Sequence, residues 1–165
     1  MEQLFATPVG RIEVIIGKLL PYFFIGLVQV LLVVTLGVSL FDVPVRGSLL
    51  LLFLIAAIFI LAMLMQGLLI STLTRSQVVA AQVAVISTFL PALLLSGFVF
   101  PIENMAWPLR ALATVLPARY LVRSLRAVLL RGNGLDVVGP DVLALLAFFL
   151  VLLVLATKRF RRQIG

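Results

Sequence analysis

Apolar residues in this chain come in long runs, broken by short polar stretches. A helix rises about 1.5 Å per residue, so roughly 20 apolar residues cross about 30 Å of hydrocarbon. The pattern predicts four spans, at about residues 19–40, 48–73, 77–100 and 141–156, the last of them short. Gln29, Thr35 and Ser39 are the polar interruptions of the first. A turn through Phe41, Asp42, Val43 and Pro44 separates it from the second, and Thr74, Arg75 and Ser76 make a tighter turn into the third. No fixed-period repeat or low-complexity linker divides the chain. The expected fold is a single all-α, polytopic helical membrane domain.

Residues 101–139 break this pattern. Pro101, Pro108, Pro117 and Pro140 punctuate them, and proline disfavours helical geometry at the residue before it. Residues 103–116 suit a short re-entrant helix that dips into the bilayer without crossing. From Arg119 onward the pattern turns amphipathic. Arg119, Arg123 and Arg126 recur at helical spacing on one stripe, opposite Leu121, Leu125 and Val128. Such a helix is expected in the headgroup plane, its arginines turned to phosphate and water, with Gly132, Asn133 and Gly134 ending it.

Composition supports the bilayer as solvent. The 165 residues are 64% hydrophobic and 12% charged, with mean hydropathy +1.30, whereas soluble domains are nearer half apolar and a quarter charged. The net charge of +7 does not point to nucleic acid, because the basic residues flank apolar runs instead of forming a basic face with interleaved aromatics. Lys158, Arg159, Arg161 and Arg162 are the densest positive cluster beside a span, which places the C-terminus in the cytoplasm. An even number of crossings puts residues 1–18 there too, in a multi-pass protein of the cell inner (plasma) membrane. The Arg75 turn is then inside and the Asp42 turn outside. Residues 101–139 carry five arginines and are nevertheless assigned to the outside, against the count.

The residues also limit the chemistry. Gly10 and Gly17-Lys18 look superficially like a phosphate-binding loop, but the glycine spacing is wrong and Leu19 stands where a Ser or Thr must reach Mg²⁺. With no His and no Cys, a Ser/His nucleophile, a His-held zinc and thiolate sites are all excluded. The six acids all read as lying in loops or at span edges, which argues against a proton-coupled carrier. No metal or cofactor is expected, and an enzyme is disfavoured. Gln29, Gln66 and Gln82 are the bulkiest polar groups within the spans. They fit either hydrogen bonds between helices or the polar lining of a substrate path. Ser87, Thr88, Ser96 and Gly97 suit close helix approach, or a bend in the third span together with Pro91.

Several stretches resemble ABC-2 type transporter permeases: residues 1–8 with Glu13 and Gly17-Lys18, residues 67–77, residues 93–105 and residues 116–120. They cover nearly the whole chain in the family's order, and are most similar to its drug-exporter-like branch. The resemblance implies the membrane subunit of an ATP-driven exporter, paired with a second permease copy as homo- or heterodimer, with ATP hydrolysed by a separate ATPase. It implies that Glu2, Thr7, Arg11 and Glu13 belong to the ATPase-coupling segment. Pro91, Ser96, Gly97 and Glu103 would shape the outer gate and its re-entrant helix. Family members carry a first span, a large outer domain and a second span before the segment that begins at Met1 here, so the chain is expected to be a C-terminal part. A non-transporting accessory subunit, or a degenerate truncated permease, remains the alternative.

Overall fold

A computed structural model describes residues 11–74 and 76–163. Among these the chain is helical apart from short connections and contains no strand. Helix α1 is Arg11–Phe41, α2 is Leu49–Leu73 and α3 is Gln77–Ala84, which continues through a π-helical turn, Val85–Phe89, into α4, Leu90–Leu95. A 3-10 turn at Ile102–Asn104 leads to α5, Trp107–Val115, then α6, Pro117–Arg131, and α7, Leu135–Gln163. Four stretches are long and apolar enough to cross a membrane: Ile16–Phe41, Leu49–Leu73, Gln77–Leu95 and Leu135–Lys158.

Helix α2 is apolar on all sides, as expected of a helix with no water-facing side. It packs on α1, α6 and α7. Leu51, Leu52, Ile55, Val128, Val138, Val142 and Leu145 make a core at the α6 end of the bundle, and Leu19, Met65, Leu152 and Ala156 a smaller one at the other. Fully buried Ala62 and Ala156 let backbones approach closely, which matters where packing, and not water exclusion, holds helices together. The first spanning helix buries only Leu19 near its start, and the third buries no residue of Gln77–Leu95.

Three boundaries differ from the sequence expectation. The third spanning helix stops at Leu95, because Gly97 takes a left-handed conformation at φ 84°, which favours glycine. The dip at residues 103–116 splits into a 3-10 turn and α5, with Pro108 in the first turn of the helix. The fourth spanning helix begins at Leu135 and carries Pro140 inside it. The proline that looked like a boundary is therefore a helix residue, and Asp141 lies within the spanning helix instead of at its edge.

Candidate functional site

The sequence builds α6 with clear ends. Pro117 sits at its first turn, where a missing N–H costs nothing. Gly132 closes it at φ 68°, its N–H donating to the Val128 carbonyl at 3.2 Å and that of Asn133 to Ala127 at 3.0 Å. Ser124, Ala127 and Val128 are buried, and Leu121, Leu125 and Leu129 pack on the core. The connection before α2 clasps the same helix: the Arg46 N–H donates to the Leu129 carbonyl at 3.1 Å, and Gly47 lies so close to the Val128 carbonyl that a Cβ there would collide with it. The apolar side of α6 thus meets protein.

Its arginine side faces a cavity of about 580 Å³. Arg119, Arg123, Arg126 and Arg131 of α6 line it with Arg110 of α5. Ser96, Glu103, Asn133 and Asp141 complete its polar wall, and Gly97 lines it beside Ser96. The structure therefore joins the residues expected at the outer gate, Ser96, Gly97 and Glu103, to the arginine stripe. Pro91 stands apart, in the first turn of α4.

Asp141 is 2% exposed. Its Oδ2 takes the Arg123 Nε at 3.0 Å and accepts a longer hydrogen bond from the Ser124 hydroxyl at 3.4 Å. Arg123 itself is 57% exposed, so the pair joins a buried carboxylate to a solvent-accessible guanidinium. Two other arginines hold the loop that follows Gly97. Arg110 Nη2 donates to the Glu103 carbonyl at 2.6 Å, and Arg126 Nη2 reaches the Phe98 carbonyl at 3.5 Å. Arg119 differs: its Nη1 is buried and has no hydrogen-bond partner among the described residues. Ser96, Ser124 and Asp141 are the buried polar side chains of the described residues, and all three belong to this site.

The three glutamines stand on three different helices. Gln29 lines a second cavity of about 440 Å³, largely apolar, between α1, α2 and α6. Gln66 is half-buried on α2 and Gln82 exposed on α3. Of the residues expected to meet an ATPase, Glu13 lies in the first turn of α1, Arg11 opens that helix, and Glu2 and Thr7 lie outside the described residues. Among the described residues no cluster of three or more His, Cys, Asp or Glu forms that could hold a metal.

Sequence reading missed Ser124 and Asp141. An acid inside an apolar run needs a partner, and that requirement was the available signal once Pro140 is accepted within the helix.

Four membrane-length helices, with a charged, arginine-lined cavity at one end of the bundle, define an all-α, multi-pass membrane protein. A family model described as "ABC-2 family transporter protein" matches residues 1–158, and the chain belongs to that family. It is 46% identical over 162 residues to a protein of Escherichia coli K12 named "Probable multidrug ABC transporter permease YbhS", covering 96% of this chain and 43% of that one. It is 31% identical over 164 residues to the YbhR permease of the same bacterium, named in the same words, covering 99% of this chain and 44% of that one. The G family member 20 ABC transporter of Dictyostelium discoideum is 27% identical over 161 residues, covering 94% of this chain and 22% of that one. The chain thus spans less than half the length of these relatives. No solved structure matches it.

Proposed function

We propose that this chain forms part of the membrane permease of an ATP-driven exporter, working with a separate ATPase and a second permease copy. The observation that carries this reading is the 46% identity to a relative named as a multidrug permease, sustained over 96% of the chain. The chain's own residues fit that role. The decoy at Gly17-Lys18 lacks the spacing and hydroxyl of a phosphate-binding loop, so the energy of ATP arrives through a partner that binds one conformation better than another. Residues 1–18, with Glu2, Thr7, Arg11 and Glu13, are the proposed docking point. The unburied faces of the first and third spanning helices supply surface for a second copy and for lipid.

The test is to join the chain to the remainder of the YbhS relative and co-express its ATPase, then measure pull-down and stimulated ATP turnover in lipid. Glu2→Lys or Glu13→Lys is expected to lower stimulation several-fold while membrane insertion persists. ATP hydrolysis by the purified chain alone would overturn the permease reading, and unaltered stimulation in both variants would remove the docking assignment.

A further inference from the structure

We propose that the cavity enclosed by α5, α6 and the start of α7 binds a phosphate-class oxyanion, with Arg119 as its principal donor. Five arginines line the cavity against two carboxylates, Glu103 and Asp141, an excess of three positive charges. Three of the five have identified partners. Arg123 is paired with Asp141, whereas Arg110 and Arg126 bond to backbone carbonyls, which satisfy a donor without neutralising its charge. Arg119 also lies within electrostatic reach of Asp141, but its buried Nη1 has no hydrogen-bond partner among the described residues, and an unmatched donor on a charged group is among the costlier things to bury. A ligand that supplies acceptor oxygens and negative charge together resolves both imbalances.

Guanidinium chemistry narrows the class. Arginine presents a planar fork of N–H donors that matches the oxygens of phosphate, and several forks converge on a cavity of about 580 Å³, within the range of small-molecule sites. Phe98, Phe100 and Trp107, close in sequence to its lining residues Gly97, Pro101 and Arg110, are 66%, 55% and 80% exposed. A charged pocket on segments that also expose large apolar side chains accommodates a phosphodiester whose substituents are greasy as well as a free phosphate. The shared chemistry is the phosphate oxyanion, and its source is a lipid headgroup or a soluble phosphate. This inference stands apart from the transport reading, since binding is measured without an ATPase.

The experiment follows thermal unfolding of the purified 165-residue chain in a non-ionic detergent. One arm compares sodium phosphate with sodium chloride at matched ionic strength. The other compares dioctanoyl phosphatidylglycerol with dioctanoylglycerol. Stabilisation by phosphate and by the phospholipid, above both controls, identifies a general phosphate site, and stabilisation by the phospholipid alone identifies a headgroup site. Arg119→Gln is expected to weaken binding roughly tenfold, as loss of one charge-assisted bond implies. If that variant does not fold, Arg126→Gln, on the same wall, is expected to weaken binding several-fold. No stabilisation beyond the controls in either arm, or unchanged affinity in the folded arginine variants, would overturn the proposal.

Discussion

Asp141 and Arg123 form an unequal pair, with one member buried and the other half in solvent, and the inequality predicts an order of effects. Removing Arg123 strands a buried carboxylate, whereas removing the charge of Asp141 leaves a guanidinium that water still reaches. Arg123→Gln should therefore cost about 2 kcal/mol of stability and Asp141→Asn about 1, both held down by solvent screening of the exposed partner. Thermal unfolding of the two variants in detergent checks this, and the opposite order would mean that the pair does not hold α6 to α7. The two glycines that fit α6 to its neighbours give a second residue-level prediction. Gly132→Ala should cost about 1 kcal/mol, because its backbone is left-handed at φ 68° and L side chains disfavour that region. Gly47→Ala should cost more, since its Cβ would strike the backbone carbonyl of Val128, and backbone yields less than a side chain. At this scale the sequence was only partly legible. The arginine stripe was visible from its spacing, but the partner of Arg123 was hidden because a proline beside Asp141 looked like the end of a loop.

The π turn at Val85–Phe89 follows from Pro91, which supplies no N–H to the carbonyl four residues back at Ser87. The hydroxyls of Ser87 and Thr88 both turn back to the Ala84 carbonyl, so local side chains take up acceptors where the helix ladder is disturbed. Pro91→Ala should restore the missing donor and regularise the helix. The expected outcome is increased hydrogen-exchange protection across residues 85–91, and unchanged protection there would assign the π turn to packing instead. Long apolar runs made the spanning helices legible, because length alone separates a span from a core helix. Helix ends were harder to read. Ser96 and Gly97 end the third span before the apolar run stops, and Phe98, Val99 and Phe100, which looked like helix, are exposed beyond the break. An apolar count cannot detect a left-handed glycine, and it cannot tell a proline that breaks a helix from one, such as Pro140, that the helix absorbs.

Across the whole molecule, the Asp42 turn, α6, the cavity and the start of α7 gather at one end of the bundle, linked by the Arg46–Leu129 hydrogen bond and the core around Leu52 and Val128. Leu19, Met65 and Ala156 mark the other end. This arrangement bears on orientation, because five arginines at the end expected outside compete with the cluster at Lys158, Arg159, Arg161 and Arg162. Positive charge sets topology chiefly in short segments flanking the spans. The five arginines instead line a protein cavity, where Asp141 and the carbonyls of Phe98 and Glu103 engage three of them. The terminal cluster adjoins a 24-residue apolar stretch, Leu135–Lys158, and should dominate. Because the chain has no native cysteine, single cysteines report cleanly. Cysteine at Asp42 or Asn133 should react with an impermeant thiol reagent added outside intact cells, and cysteine at Ser76 or Gln163 only after the membrane is opened. The fold makes part of this independent of orientation: Asp42 and Asn133 must label together whichever way the bundle lies, because Arg46 and Gly132 are in contact distance. Opposite labelling of those two would contradict the packing of α6 on α2. Labelling of both from inside, with Gln163 reached from outside, would keep the fold and reverse the orientation, moving the arginine cavity to the cytoplasmic side.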